Sequence, residues 1–131
     1  MTSAEPTFRF PKEERLMSKK LIEELFERGS SFSLHPFRVL YLPNPERAAS
    51  YHQVLISVPR RNFKKAVQRN LIKRRIRESY RLTKSALRMN SKATIPYLLA
   101  YVYISKKVLS SDEISDKLKS SLDRLIQVWN A

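Results

Sequence analysis

One amide and six basic residues recur at the spacing of a single helical face near the middle of this 131-residue sequence. A helix turns by about 100° per residue, so these residues lie within an arc of about 100° on its surface. They are Asn70, Lys73, Arg74, Arg77, Arg81, Lys84 and Arg88. Lys73, Arg77 and Arg81 repeat at an interval where like charges repel, and Glu78 is the one acid within residues 60–92. The pattern therefore predicts a helix that binds a polyanion, with nucleic acid as the favoured partner over an acidic membrane or protein.

Residue types that could perform catalysis are few and poorly clustered. His35 and His52 lie in or beside predicted strands, where a structural or surface position is expected for each. The acids Asp112, Glu113 and Asp116 occupy the first turns of a predicted helix, where the helix dipole favours negative charge. Cysteine is absent and glycine occurs once, so thiolate zinc sites are excluded and a glycine-rich phosphate loop is disfavoured. If a reaction is involved, this protein is not expected to supply its reactive groups or a metal site.

The overall charge agrees with a polyanion partner. The sequence has 26 Lys and Arg residues against 12 Asp and Glu residues, which gives a net charge of +14. Residues 1–131 are expected to form a single domain, within which residues 1–11, with Pro6 and Pro11, form an irregular arm. No apolar run is long enough to span a bilayer, and the first residues lack the apolar core of a signal peptide. A cytoplasmic protein without membrane contact is therefore expected.

The basic residues must be positioned by the helix that carries them, which we predict over residues 65–87. No glycine or proline interrupts residues 63–92, and the segment is rich in good helix formers. Arg69 lies just outside the basic arc, and Arg75 is expected at a flank with its stem buried. The core side is predicted to carry the apolar residues Leu71, Ile72, Ile76, Tyr80, Leu82 and Leu87.

The first half of the chain predicts one helix followed by three strands. Ser18 is a suitable N-cap, apolar residues follow at helical spacing, and Gly29 supplies the stop signal. Strands are predicted over residues 31–34, 37–42 and 51–58 because these segments are rich in β-forming residues. Residues 44–50 are interpreted as a hairpin connection between the second and third strands.

The second half predicts one more strand and one more helix. Residues 94–105 read as a buried strand, and Ser110 with Glu113 fits a capping box at the start of an amphipathic helix. A strand, a helix and a strand in succession indicate a parallel pair of strands joined by a crossover helix. The predicted fold class is α+β, with the order α-β-β-β-α-β-α and helices packed on a four-stranded mixed sheet.

The centre of the basic helix resembles a signature of the protein subunit of bacterial ribonuclease P. That family carries Arg-Asn-Arg-x-Lys-Arg-x-x-Arg on its long helix, and the sequence here matches five of the six signature residues: Arg69, Asn70, Lys73, Arg74 and Arg77. Leu71 replaces the second arginine. Because Leu71 projects to the core side, its presence is expected to cost one phosphate contact at most.

The resemblance implies a fold and a function. The fold is the ribosomal-protein-S5-domain-2-like sandwich with a left-handed β-α-β crossover. The implied function is to bind the catalytic RNA of ribonuclease P and to promote endonucleolytic removal of the 5′ leader of precursor tRNA. Catalysis would then belong to the RNA, with Mg²⁺ held mainly by that RNA, and one protein is expected per RNA.

The same resemblance implies two binding surfaces. The catalytic RNA would be contacted by the basic helix through Arg69, Asn70, Lys73, Arg74, Arg77 and Arg81. A cleft beside the helix would hold the precursor tRNA leader through Phe26, Phe37, Tyr41 and Arg60, with Ile22 standing where an aromatic residue is common. Aromatic stacking with nearby cations holds unpaired bases with little dependence on sequence, which suits a variable leader.

Three other protein classes share some of these features. A ribosomal-type structural RNA-binding protein would carry similar charge but would not need an aromatic cleft. A DNA-binding transcription factor would present its recognition helix in a compact helical unit, whereas this basic helix lies between strands. A protein nuclease would need a metal-binding cluster of carboxylates, which the sequence does not offer.

Overall fold

The computed structural model describes residues 12–46, 52–84 and 96–130 of the chain, and its element order confirms the predicted α+β fold. Within these ranges, a 3₁₀ turn at Lys12–Glu14 precedes three helices and four strands: α1 (Lys19–Arg28), β1 (Ser30–Leu34), β2 (Phe37–Pro43), β3 (Gln53–Ser57), α2 (Ala66–Thr83), β4 (Tyr97–Tyr103) and α3 (Ser111–Asn130). The predicted arm at residues 1–11 and the predicted end of the basic helix beyond Lys84 lie outside the described residues. Within those ranges, the search for a membrane-spanning helix found none.

The four strands form one mixed sheet in the order β1-β2-β4-β3. The parallel pairing of β3 with β4 confirms the predicted crossover through the basic helix. The predicted hairpin between β2 and β3 is wrong, because β4 inserts between them and pairs antiparallel with β2. β4 is therefore a central strand covered on both faces, which explains its nearly continuous apolar sequence.

The larger core lies between one face of the sheet and the pair of helices α2 and α3. β4 contributes Leu99, Tyr101 and Tyr103 to this face, and α2 contributes Ile72 and Ile76, all without exposed surface. The Tyr101 hydroxyl is paired with Ser121 of α3 at 2.9 Å, so this buried polar group is satisfied. This packing fixes which side of α2 faces solvent.

A smaller core lies on the opposite face, under α1. The alternate residues of β4, Leu98 and Ala100, pack there with Leu40 of β2 and with Leu21 and Leu25 of α1. The sheet therefore separates α1 from the pair α2 and α3, and side chains on neighbouring positions of a strand belong to different surfaces.

The helix caps follow the predicted chemistry. The Ser18 hydroxyl accepts a hydrogen bond from the Leu21 amide at 3.3 Å, which caps α1. Ser110 and Glu113 form the reciprocal capping box of α3: the Glu113 amide donates to the Ser110 hydroxyl at 3.2 Å, and the Ser110 amide donates to the Glu113 carboxylate at 3.4 Å. These contacts fix where α1 and α3 begin.

Gly29 ends α1 through a close backbone approach. Its φ of −67° is one that any residue adopts, and its amide donates to the Leu25 carbonyl at 2.8 Å. A Cβ at this position would lie 2.4 Å from the Leu25 carbonyl oxygen and 3.2 Å from that of Tyr41. Glycine is needed here because the neighbouring backbone passes too close for a side chain.

Gly29→Ala is expected to destabilise the protein by about 1–3 kcal/mol, since the methyl group must displace backbone atoms. Equilibrium unfolding in urea measures the effect. Ser30→Ala, at an exposed neighbouring position, provides the control and should change the free energy of unfolding by less than about 0.5 kcal/mol. Equal stability of the two variants would contradict the close approach.

Residues 12–16, which we call the N-terminal segment, pack against the β3 edge of the sheet. Arg15 forms a parallel bridge with Val54 of β3, and the Leu16 amide donates to the Val54 carbonyl at 2.9 Å. Just before this bridge, the Glu14 carboxylate accepts two hydrogen bonds of 2.9 Å from the Lys84 ammonium at the end of α2. Both side chains are about 95% buried, so the ion pair joins the two segments inside the protein.

Candidate nucleic-acid interface

The solvent side of α2 carries the predicted cationic surface. Asn70, Arg74 and Arg77 are exposed, and Lys73 is half-buried beside them. Together with Leu71 and Val67 these residues line an open depression of about 510 Å³. We call Asn70, Lys73, Arg74, Arg77 and Arg81 the basic stripe. Because α2 is anchored by its buried face, the stripe is displayed on a rigid support suited to a phosphate backbone.

Arg69 has a different position from the stripe. Its Nη1 donates to the carbonyl oxygens of Phe63 and Lys64, each at 2.8 Å. These carbonyls belong to the segment that enters α2, and Lys65 at the N-cap provides no side-chain hydrogen bond there. Arg69 therefore fixes the segment that precedes the helix, and its predicted contact with RNA stays a prediction.

Arg81 is paired with an acid on its own helix. Its guanidinium donates to the Glu78 carboxylate one turn earlier. Hydrogen bonding from Arg81 lowers the pKa of Glu78, so this carboxylate stays ionised well below neutral pH. The pair reduces the net positive charge at this end of the basic stripe.

Glu78→Gln is expected to tighten binding of a polyanion such as RNA about threefold, because the change removes a negative charge beside the basic stripe. The slope of log affinity against log salt should steepen by up to about 0.9. Filter binding to RNA over a salt series measures both quantities, and Asp123→Asn on α3 is the control for loss of one exposed acid. Equal effects of the two variants would count against an Arg81 contact.

Three positions on the predicted projection of α2 need correction. Lys84, assigned to the cationic arc, is buried and paired with Glu14. Leu82, assigned to the core side, is 50% exposed. Leu71, assigned to the core side as well, is half-buried and shares its surface depression with Asn70 and Arg74. The helical projection gives the angle of each residue on α2 correctly. Whether a residue is buried depends on neighbours from distant parts of the chain, which the projection does not contain.

The aromatic residues predicted for the second surface are not brought together. Phe37 has no exposed surface and packs edge-on against Tyr101, with ring centroids 5.4 Å apart, inside the larger core. Tyr41 packs against the same core and contacts Phe32. Phe26 lies on α1 across the sheet and is 46% exposed. The assignment of Phe37 to an open cleft is therefore wrong, because strand alternation turns Phe37 and Tyr41 away from α1.

An open row of side chains crosses the α1 face of the sheet. Register places Ser33, Arg38, Val102 and Ser57 side by side on the four strands. Ser33 and Arg38 are exposed, and Val102 and Ser57 are half-buried. Arg38 is not among the predicted site residues, although a charged residue between the buried Phe37 and Val39 is the usual sign of an open strand face.

Two further arginines, Arg60 and Arg77, lie close to β3. Arg60 is exposed in the turn that follows β3, three residues after Ser57. Arg77 and Arg15 line a small cleft of about 140 Å³ along the edge of β3. Arg77 therefore borders both the depression on α2 and the edge of the sheet. Of the four predicted leader residues, the structure leaves Phe26 and Arg60 exposed, and Arg38 joins them as a candidate.

His52 and the acids at the start of α3 lie in separate structural surroundings. His52 accepts a hydrogen bond at Nδ1 from the Tyr97 amide at 2.9 Å, and its ring lies 5.0 Å from that of Trp129. Asp112 and Glu113 lie in the first turn of α3, as predicted. Within residues 12–46, 52–84 and 96–130, no group of three His, Asp or Glu residues could hold a metal ion.

The sequence matches the model of a known family. The family model for ribonuclease P matches residues 10–127. The chain belongs to the ribonuclease P protein family. Its role is accordingly that of an RNA-binding subunit in tRNA processing, and the ribosomal-type structural alternative is not favoured.

Curated relatives carry the same family name. The ribonuclease P protein component of Porphyromonas gingivalis strain W83 is 34% identical over 126 residues, which are 95% of this chain and 91% of that protein. The component of Petrotoga mobilis is 36% identical over 103 residues, with 79% and 77% covered. The likeness therefore extends well beyond the signature on α2.

Solved structures agree with the fold. The ribonuclease P protein of Thermotoga maritima matches with a TM-score of 0.67 and 25% identity, covering 85% of this chain and 96% of that chain. The Staphylococcus aureus protein matches with a TM-score of 0.66 and 22% identity, covering 88% and 97%. This chain thus shares the architecture of these bacterial ribonuclease P proteins.

Proposed function

We propose that this chain assembles, one protein per RNA, with the catalytic RNA of ribonuclease P in the cytoplasm and helps that RNA to cleave the 5′ leader from precursor tRNA. The observation that carries this assignment is the basic stripe, rigidly displayed on α2 within a chain of the ribonuclease P family. The RNA supplies the reacting groups, and the protein neutralises phosphates and positions both RNA molecules.

Magnesium belongs with the RNA in this assignment. The described side chains form no cluster of acids or histidines that could hold a divalent ion. A net charge of +14 also disfavours a cation site on this surface. The protein contributes instead by lowering the repulsion between phosphates. Without the protein, added salt or magnesium would have to screen this repulsion.

The leader is assigned to the α1 face of the sheet. Phe26 offers an exposed ring for stacking on an unpaired base, and Arg38 offers a cation on the same face. Arg60 extends the positive charge past the end of β3. Stacking and charge hold unpaired bases with little dependence on sequence, which suits leaders of variable sequence.

Reconstitution tests the proposed function directly. The protein is added to the ribonuclease P RNA of the same organism, and cleavage of a precursor tRNA is followed at low magnesium. Strong stimulation by the protein, with no cleavage by protein alone, is the expected result. Tight RNA binding without any stimulation would overturn the processing role and favour a structural one.

Phe26→Ala is expected to weaken binding of precursor tRNA to the reconstituted enzyme about tenfold, because stacking on one base is removed. Binding of mature tRNA, which lacks the leader, should not change. Val128→Ala removes apolar surface of similar exposure on α3 and provides the control. Equal losses for precursor and mature tRNA would contradict a leader contact at Phe26.

A further inference from the structure

A second groove lies on the other flank of α2, between that helix and the start of α3. It measures about 520 Å³, within the range of small-molecule and nucleotide sites. Leu71 and Leu82 of α2 supply apolar surface, and Ser111, Asp112 and Ser115 of α3 supply a polar wall. Arg74 belongs to this groove as well as to the basic depression, so the two surfaces are continuous.

The walls of the groove are held in place by hydrogen bonds. Arg75 Nη1 donates to the Leu109 carbonyl at 2.6 Å, which ties α2 to the segment before α3. The capping box of Ser110 and Glu113 fixes the first turn of α3, where Asp112 stands. A partner therefore meets a preformed cleft and needs to order little of the protein on binding.

The order of chemical groups in the groove matches the parts of one nucleotide. Arg74 can pair with a phosphate, and the apolar side chains of Leu71 and Leu82 can cover the face of a base. Asp112 can accept a hydrogen bond from a base amino group, as carboxylates do from cytosine. Glu78 also lines the groove, and its pairing with Arg81 offsets part of its repulsion toward phosphate.

The geometry points to a binding site for one unstacked nucleotide of the ribonuclease P RNA, with its base inserted between α2 and α3. This role rests on the proposed function, because the nucleotide belongs to the RNA that the basic stripe binds. Leu71 would then be a specificity residue for this chain, because an apolar side chain stands where the family signature has its second arginine. The site would replace a phosphate contact with an apolar one.

Salt dependence distinguishes such a contact from the electrostatic stripe. Leu71→Ala shortens the apolar wall, and Ser115→Trp fills the groove from the α3 side. Each variant is expected to weaken binding of the cognate RNA about five- to tenfold at every salt concentration, with an unchanged log–log slope. Val128→Ala, 40% exposed on α3 and in neither the groove nor the basic depression, is the apolar control and should stay within about twofold of the original protein.

Arg77→Gln serves as the electrostatic control, since it should flatten the slope by about 0.7–0.9. Unchanged affinity of Leu71→Ala and Ser115→Trp, or a slope change like that of Arg77→Gln, would overturn the nucleotide site while leaving the proposed function intact. Failure of the unmodified protein to bind the RNA would overturn both. Circular dichroism checks that each variant is folded, and Leu82→Ala replaces any variant that is not.

Chemical probing of the RNA bases with dimethyl sulfate supplies an independent measurement. A base in the groove should be protected in the complex and become reactive again with Ser115→Trp, while protections elsewhere remain. Protection of no base, or protections that Ser115→Trp leaves unchanged, would show that the groove is empty of RNA and would overturn the inference.

Discussion

Replacing Lys73, Arg74 and Arg77 together with Gln is expected to weaken binding of the ribonuclease P RNA by roughly two orders of magnitude near physiological salt. Formation of each phosphate contact releases condensed counterions, so removing one cation from the interface should lower the log–log salt slope by about 0.7–0.9. Removing three cations should therefore flatten the slope by about 2–3. A salt titration of affinity gives both values from one set of measurements.

The matched control removes the same number of charges elsewhere. Lys20 on α1 and Lys117 and Lys119 on α3 are exposed and lie outside the basic stripe. Their combined replacement with Gln changes net charge by the same three units, and we expect a loss of affinity below about fivefold. Equal losses for the two triple variants would show that total charge, and not the stripe on α2, determines binding.

Arg69 is left out of that triple variant for a structural reason. Its bonds to the Phe63 and Lys64 carbonyls mean that Arg69→Gln would disturb the entry to α2. A loss of affinity in that variant would have two causes that the measurement does not separate: a changed backbone, and the removal of a cation that faces phosphate. Among the described residues, no backbone carbonyl accepts a hydrogen bond from the side chains of Lys73, Arg74 or Arg77.

Features that depend on neighbouring residues can be predicted from the sequence. Ser18, Gly29 and Ser110 mark helix ends because capping is decided within four residues of the cap. The parallel pairing of β3 with β4 is predictable because a crossover helix between two strands leaves few alternatives. The basic stripe itself follows from the period of a helix and the signs of its charges.

Features that depend on distant residues are not predictable in this way. Adjacency along the chain suggests a β2–β3 hairpin, but β4 lies between these strands and pairs with both. On the helical projection, Lys84 falls at the same angle as the other cationic residues of α2. Glu14, separated by 70 residues, pairs with it in the interior. A projection of one helix contains no information about such partners.

The aromatic assignments show the same limit on a strand. Alternation correctly implies that Phe37 and Tyr41 share one face and Arg38 takes the other. Alternation does not indicate which face α1 covers. In the structure, α2 and α3 cover the face that carries Phe37. The candidate leader surface therefore excludes the buried ring of Phe37 and includes the exposed side chains of Phe26 and Arg38.

Glu14→Ala is expected to destabilise the protein by about 3–5 kcal/mol, because Lys84 would keep a buried charge without its carboxylate partner. For a domain of this size the melting temperature should fall by about 10–20 °C. The ion pair matters for function as well as for stability, because it attaches the N-terminal segment to the end of the helix that carries the basic stripe. Chemical unfolding monitored by circular dichroism measures the loss of stability.

A double-mutant cycle separates this pair from general loss of packing. Glu14→Leu with Lys84→Met together should be far less damaging than either change alone, since no unpaired charge is buried in the double variant. Glu24→Ala, which removes the exposed pair with Arg28, should cost less than about 1 kcal/mol and provides the surface control. If Glu14→Ala costs no more than Glu24→Ala, or if the two interior changes simply add, the ion pair does not hold the N-terminal segment against α2.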